Sequence, residues 1–237
     1  MNWEFELAVV TGASQGIGKA IAQGLADRGA AVAVCSRNGI AIERFASELR
    51  AAGGRAFGAP CDVRDETEVS GFAARVHREL GAPTILVNNA GVGRFAPVTE
   101  MTAEQWDEVM ATNLRGMFLV TRAFLPAMLA HGRGAVVNIA SLAGRNGFAS
   151  GTAYCASKHG VLGFSKALLM EVRKRDVRVI AVCPGSVTTP FFDGSTPFQP
   201  DRERILRAED VATMVLQTLE LDERATVSEL DIRPTNP

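Results

Sequence analysis

The chain has 237 residues, of which 47% are hydrophobic and 22% charged, with 25 basic side chains against 26 acidic ones. This length suits one α/β domain with a sizeable core, and the apolar fraction excludes intrinsic disorder. A net charge of −1 gives no electrostatic reason to bind nucleic acid or an anionic membrane, and four scattered cysteines exclude a disulfide scaffold.

Short apolar, β-branched segments alternate with longer helical patterns along the chain. The predicted strands are 7–11, 31–36, 55–61, 84–89, 135–141, 177–183 and 227–232. The predicted helices are 16–28, 39–52, 66–80, 102–131 (broken near Asn113), 152–175 and 208–220. Because the strands are apolar almost throughout, the pattern predicts a parallel sheet with helices on both faces. The irregular segment 190–207 is a predicted substrate lid, with a merely long connection as the alternative.

A glycine-rich turn follows the first predicted strand, with Gly12, Gly16 and Gly18 spaced Gly-x-x-x-Gly-x-Gly before a helix. Glycines there let the backbone turn tightly and approach a pyrophosphate, which then rests on helix N-terminal amides. Lys19 is followed by Ala20, which does not match the phosphate loop of an NTPase. The position favours dinucleotide binding over simple strand–helix punctuation.

The end of the second predicted strand indicates which dinucleotide is bound. An NAD site usually places an acid there, whereas a basic group accommodates a 2′-phosphate. The sequence has Ser36 and Arg37 at this point and no Asp or Glu between residues 28 and 42. We therefore predict NADP(H), with a solvated surface arginine as the alternative interpretation.

The only tyrosine, Tyr154, lies four residues before Lys158, so both side chains project from one helix face. A neighbouring ammonium is expected to lower the pKa of the phenol and suit Tyr154 to proton exchange with a substrate oxygen. Ser141 ends a predicted strand, where its hydroxyl could bond the same oxygen. Each residue alone has an ordinary structural explanation, and the combination favours catalysis.

These motifs together resemble those of the short-chain dehydrogenases/reductases, and the similarity covers nearly the whole chain. The matching segments are Thr11–Gly18, Asp62-Val63, Asn88–Gly91, Asn113, Ser141, Tyr154, Lys158 and Pro184–Thr189. The resemblance implies a single Rossmann-type domain over 1–237, with a doubly wound seven-stranded parallel sheet in the order 3-2-1-4-5-6-7.

The resemblance also implies residue roles. Catalysis is assigned to Asn113, Ser141, Tyr154 and Lys158, with Asn113 holding a relay water through its backbone and Tyr154 as acid/base. Cofactor binding is assigned to Gly12, Ser14, Gln15, Gly16, Ile17, Gly18, Ser36, Arg37, Asp62, Val63, Asn88, Ala90, Gly91, Tyr154, Lys158, Pro184, Gly185, Val187 and Thr189. Among these, Asp62 would contact the adenine amino group, Asn88 and Gly91 the adenosine ribose, and Thr189 the nicotinamide carboxamide.

Within the family the chain is most similar to the 3-oxoacyl-acyl-carrier-protein reductases, although residues 228–234 lack their Asp-Gly-Gly ending. The implied activity is NADPH-dependent reduction of a 3-oxoacyl thioester or a related ketone. The alternatives are an NADP-dependent dehydrogenase of another small alcohol or 3-hydroxy acid, and a non-catalytic dinucleotide sensor. The family also implies a dimer or tetramer formed through helices 102–131 and 152–175.

Other residues are weaker candidates. Phe191, Phe192 and Phe198 are predicted either to line a substrate pocket or to anchor their loop, and Arg145, Asn146 and Phe148 are further pocket candidates.

The three histidines and the cysteines show no metal-ligand spacing, so we expect no metal site. No signal segment opens the sequence and no apolar run of about 18 residues could span a bilayer, so we expect a cytoplasmic protein without membrane or nucleic-acid partners.

Overall fold

The computed structural model describes residues 2–193 and 200–236. The strands are β1 Leu7–Thr11, β2 Ala31–Ser36, β3 Ala56–Pro60, β4 Ile85–Asn88, β5 Gly134–Ile139, β6 Val177–Pro184, β7 Val187–Thr188, β8 Leu206–Arg207 and β9 Glu229–Ile232. The α-helices are α1 Gly16–Asp27, α2 Gly39–Ala51, α3 Glu66–Glu79, α4 Ala103–Met110, α5 Met117–His131, α6 Thr152–Val172 and α7 Ala208–Glu220.

Seven strands form one parallel sheet in the order β3-β2-β1-β4-β5-β6-β9, which confirms the predicted order. The strands β2 and β3 extend the sheet to one side of β1, whereas β4 and the later strands extend it to the other side. The direction of strand order therefore reverses between β1 and β4. That reversal opens a crevice at the carboxyl ends of the strands, where ligands bind in sheets of this kind. β7 and β8 pair in a separate two-stranded sheet, which the sequence did not predict because two-residue strands carry no periodic signal.

Helices cover both faces of the sheet, as predicted. One apolar cluster packs α1, α2 and α7 against the sheet through residues such as Ile21, Phe45 and Leu216. The other packs α3, α5 and α6 through residues such as Phe72, Phe124 and Leu168. Burying each such side chain stabilises the fold by roughly 1.5–3 kcal/mol. This double cover explains why β1, β2, β4 and β6 are buried along their whole lengths. No α-helix within the described ranges is long and apolar enough to cross a bilayer.

The α-helix predicted to be broken near Asn113 is interrupted there, although by a different helical turn and not by a loop. A π-helical turn, Ala111–Gly116, joins α4 directly to α5. A π turn adds one residue to the helical turn without ending the helix, and such turns are frequent at functional sites. The Asn113 side chain lies on this turn and bonds the backbone of Val92, accepting from its N–H at 2.8 Å and donating to its oxygen at 2.9 Å.

Candidate active site

A cleft of about 1180 Å³ opens at the carboxyl edge of the sheet, beside the reversal in strand order. It brings together most of the predicted site residues, which come from distant parts of the chain. The predicted residues that line it are Gly12, Ser14, Gln15, Gly16, Ile17, Ser36, Arg37, Asp62, Val63, Ala90, Gly91, Ser141, Tyr154, Lys158, Pro184, Gly185, Val187 and Thr189.

Three predicted residues are not part of the cleft wall: Gly18, Asn88 and Asn113. The Asn88 side chain points into the core, where it donates to Thr121 Oγ1 at 2.9 Å and to Asn138 Oδ1 at 2.8 Å. It therefore braces β4 against α5 and β5 from behind the cleft. The contact of Asn88 with the cofactor ribose stays a prediction from family resemblance.

The glycine turn is held in place by the segment that follows β4. Gly12 has a φ of +64°, and a Cβ there would lie 2.9 Å from the Ala90 Cα, so no larger residue fits. Asn89 Nδ2 donates to the oxygens of Thr11 and Gly12 at 3.0 and 3.1 Å. Thr11 Oγ1 in return accepts from the N–H groups of Asn89 and Ala90, both at 3.1 Å. These bonds fix the turn that a pyrophosphate would approach.

The first turn of α1 presents backbone amides to the cleft. Its preceding residue, Gln15, is extended and makes no side-chain cap, and the first turn contains no acidic residue. The positive end of the helix dipole is therefore available to an anion. Such an end suits the pyrophosphate of a dinucleotide, in agreement with the sequence prediction.

The segments that end β2 and follow β3 carry the groups predicted to select NADP(H) and to bind adenine. Arg37 is exposed there, next to Ser36, whose hydroxyl donates to the Asn38 oxygen at 3.1 Å. Asp62 is held by Arg64, whose Nη2 lies 2.5 Å from Asp62 Oδ2. This hydrogen bond keeps the pKa of Asp62 below its usual value, although burial opposes it. The Asp62 carboxylate is therefore ionised at neutral pH and can accept from an amino group.

Ser141, Tyr154 and Lys158 meet in the middle of the cleft. Ser141 follows β5 and caps a short 3-10 turn, Leu142–Gly144, by accepting from the Ala143 N–H at 3.1 Å. Its side chain also hydrogen-bonds Tyr154. Lys158 is buried, with Nζ 5.7 Å from the centre of the Tyr154 ring. The sheet and α6 thus bring the hydroxyl, the phenol and the ammonium to one place.

The predicted direction of the Tyr154 pKa shift is wrong. Loss of hydration among the surrounding protein atoms raises the pKa of Tyr154 to about 12, although the hydrogen bond from Ser141 lowers it. Burial likewise lowers the pKa of Lys158 to about 8, against a smaller opposite effect of Cys183. Desolvation disfavours the charged form of both groups, and it is the largest effect on each pKa. Tyr154 is therefore a protonated acid at neutral pH.

Asn113 reaches the helix that carries Tyr154 through Ser157. Asn113 Nδ2 donates to Ser157 Oγ at 3.0 Å, and Ser157 Oγ donates to the main-chain oxygen of Tyr154 at 2.8 Å. This chain ties the π turn to the first turn of α6. The relay water expected at the Asn113 backbone stays a prediction.

The part of the cleft near Tyr154 differs in several residues from the prediction. Phe95 and Arg94 line the cleft without having been identified, because an isolated aromatic in a loop carries no positional signal. Asn146 and Phe148 line it as predicted, and Phe191 lines it as one of its two interpretations predicted. Arg145 does not, because it pairs with Glu229 at 2.6 Å and Asp231 at 2.7 Å instead. Phe198 and the Phe192 side chain, like part of the predicted lid, lie outside the described residues.

Comparison with known proteins agrees with this geometry. The model of the short chain dehydrogenase family matches residues 6–199. A D-threitol dehydrogenase of Mycolicibacterium smegmatis is 44% identical over 184 residues, covering 78% of this chain and 71% of that protein. The 3-oxoacyl-acyl-carrier-protein reductase FabG of Escherichia coli is 38% identical over 191 residues, covering 80% and 76%. A solved variant of the actinorhodin polyketide ketoreductase with NADPH is 38% identical, with a TM-score of 0.89 and coverage of 98% and 97%.

The fold and the site define a nicotinamide-dependent oxidoreductase with a doubly wound sheet. More particularly, the chain belongs to the short-chain dehydrogenase family.

Proposed function

We propose that this enzyme uses NADPH to reduce the carbonyl group of a 3-oxoacyl thioester or a related ketone. The observation that carries the proposal is the meeting of Ser141, Tyr154 and Lys158 at the carboxyl edge of the sheet, with Tyr154 protonated at neutral pH. A protonated phenol is the form that reduction requires, because the reaction must place a proton on the carbonyl oxygen. The NADPH-bound structural relative and the FabG relative support the same cofactor and reaction class.

The residues of the cleft fit NADPH. The glycine turn and the amides of α1 would hold the pyrophosphate, and Arg37 would pair with the 2′-phosphate. Thr112 Oγ1 is buried in the cleft wall without a hydrogen-bond partner, which suits a polar ligand at that position. Pro184, Gly185, Val187 and Thr189 also line the cleft, where the nicotinamide would lie.

The reaction then follows from the positions of three side chains. NADPH, when bound, supplies a hydride to the carbonyl carbon. Ser141 bonds the carbonyl oxygen and orients it toward Tyr154, which gives that oxygen its phenolic proton. Lys158, still cationic at neutral pH, stabilises the negative charge that remains on the Tyr154 oxygen. The product is an alcohol.

The test is oxidation of NADPH against a carbonyl panel that includes 3-oxo esters and acyl thioesters, with the purified full chain. Turnover that depends on a carbonyl substrate supports the proposal. NADPH binding without turnover on any member would instead favour a dinucleotide sensor. The second candidate function is that of an alcohol dehydrogenase, which the similarity to the 44% identical D-threitol dehydrogenase favours. Reduction of NADP⁺ in the presence of polyols tests this candidate.

We further propose a homo-oligomer formed through the outer surfaces of α4, α5 and α6. An apolar groove on this side is lined by Met110, Leu114, Phe118 and Phe164, and Phe118 is exposed. Contiguous exposed apolar surface of this kind marks an association site. Light scattering after gel filtration should show a dimer or tetramer that Phe118→Glu dissociates, and a monomeric wild type would contradict the proposal.

The cytoplasm is the proposed location. All four cysteines, Cys35, Cys61, Cys155 and Cys183, are buried free thiols, which agrees with a reducing compartment. Fractionation of the source cells would test this location.

A further inference from the structure

Two phenylalanine rings pack against the ring of the proposed proton donor, Tyr154, and a third, Phe148, packs against one of them. The ring centres of Phe95 and Phe191 each lie 5.6 Å from that of Tyr154. Phe95 also lies 6.2 Å from Phe191, edge to face at 80°, and 6.0 Å from Phe148. All three phenylalanines line the cleft. They come from three separate loops, after β4, β5 and β7, so this aromatic wall exists only in the folded protein.

The chain makes room for these rings with two glycines. A Cβ on Gly93 would lie 2.7 Å from atoms of both Phe95 and Phe191. A Cβ on Gly151 would lie 2.3 Å from Phe148. Because either contact is far closer than van der Waals distance, the rings can pack beside Tyr154 only where these positions lack a side chain. The two glycines therefore leave the space that the three rings of the aromatic wall occupy.

The wall offers no free charge to an ionic substrate. Four charged residues of the described chain line the cleft: Arg37, Asp62, Arg94 and Lys158. The first two lie at the adenine end, and Lys158 belongs to the catalytic group. Arg94, next to Phe95 in the chain, pairs with Glu108, its Nε lying 2.8 Å from Glu108 Oε2. A carboxylate or phosphate on the Phe95 and Phe191 side of Tyr154 would leave water for apolar rings, where the nearby Arg94 is already paired with Glu108, which is unfavourable.

We propose that the site takes an uncharged ketone with an aryl group on, or within two atoms of, the carbonyl carbon. This inference rests on the proposed function and names its substrate class. An aryl group would meet the Phe95, Phe148 and Phe191 rings in edge-to-face or offset contacts, which favour aromatic over aliphatic partners. The carbonyl gains a hydride at carbon and the Tyr154 proton at oxygen, and becomes a secondary alcohol while NADPH is oxidised to NADP⁺.

The test compares two 3-oxo esters that differ only beyond the ketone, ethyl benzoylacetate with a phenyl group and ethyl 3-oxohexanoate with a propyl group. With the full chain and saturating NADPH, we expect kcat/KM to be about tenfold higher for the phenyl ester. Equal values, or a preference for the propyl ester, would overturn the aryl proposal while leaving carbonyl reduction intact. Turnover of neither ester, with NADPH still bound, would instead overturn the proposed function and this inference together.

Two variants test whether the aromatic wall causes the preference for the phenyl ester. Phe95→Leu keeps an apolar side chain but removes the ring, and it should reduce the phenyl-to-propyl ratio of kcat/KM to about threefold or less. Phe5→Ala is the matched control, because Phe5 is 75% exposed and outside the cleft, and it should leave the ratio unchanged. Calorimetry of the alcohol product, ethyl 3-hydroxy-3-phenylpropanoate, should show weaker binding to Phe95→Leu with NADPH present. An unchanged ratio and unchanged affinity in Phe95→Leu would contradict the proposal.

Discussion

Lys158 Nζ donates a 2.8 Å hydrogen bond to the main-chain oxygen of Ile139, the last residue of β5. Lys158 of α6, the proposed catalytic lysine, is thereby tied to the strand that leads into Ser141 two residues later. This bond holds the ammonium next to the end of β5. The bond stabilises the charged ammonium, so the lowered pKa of Lys158 comes from burial of the side chain and not from this contact.

The pH dependence of reduction should follow Lys158. Its pKa of about 8 means that the ammonium is present at neutral pH and is lost as the pH rises through that value. Tyr154, with a pKa of about 12, stays protonated across the same range. We therefore expect kcat/KM for ketone reduction to be constant below about pH 7 and to decline above about pH 8.

Two lysine variants test this assignment. Lys158→Met should lose the decline above pH 8 together with most of the activity. Lys166→Met removes an exposed lysine from the same helix and should keep the wild-type pH profile. A decline that survives in Lys158→Met would show that another group titrates.

Removal of the phenolic hydroxyl should abolish chemistry without abolishing binding. Tyr154→Phe keeps the ring that contacts Phe95 and Phe191 and removes only the proton donor. We expect kcat to fall by about a hundredfold or more. NADPH affinity, measured by fluorescence titration, should stay within about threefold, since the phosphate-binding residues are untouched. Retained turnover would exclude Tyr154 as the acid.

Arg37 should decide between the two nicotinamide dinucleotides. It is exposed at the end of β2, in a segment that has no Asp or Glu between residues 28 and 42 to bind a ribose hydroxyl. Arg37→Asp removes the partner of the 2′-phosphate and adds a repulsive charge. We expect NADPH affinity to fall by roughly tenfold to a hundredfold, while NADH affinity holds or improves. Arg44→Asp, on the exposed face of α2, is the control. An unchanged NADPH preference in Arg37→Asp would remove this residue from the site.

A buried polar chain behind the cleft should matter for stability. Asn138 accepts from Asn88 Nδ2 at 2.8 Å and donates to Ser165 Oγ at 2.9 Å, which links β4, β5 and α6. Asn138→Ala would deprive two buried groups of a partner and leave a small void. We expect the free energy of unfolding, from urea titration, to fall by about 2 kcal/mol or more. Thr213→Ala, which removes an exposed hydroxyl bonded to Glu209, should change it by less than about 1 kcal/mol. Equal effects would show that the buried chain does not brace the sheet.

The elements could be predicted closely from the sequence because their signals are local. The β1 and β2 bounds agree with prediction, since each strand is a continuous apolar run between turn residues. The interruption of the long helix near Asn113 was predicted, but its form as a π turn was not, because a π turn has the same local composition as an α-helix. The turn at Gly12 was identifiable because its backbone conformation requires a particular residue.

The sequence by itself determined the order of the strands, the glycine turn and the identities of Ser141, Tyr154 and Lys158, because these follow from periodicity, spacing and family motifs. Only the tertiary structure decided how these groups titrate, because desolvation depends on every atom packed around them. It also decided that Phe95 and Phe191 pack against Tyr154, that Phe148 packs against Phe95, and that Arg145 pairs with Glu229 and Asp231. Contacts between loops that follow different strands leave no periodic pattern in the sequence. The motifs of the proposed catalytic residues could therefore be recognised from the sequence, whereas the aromatic wall could not.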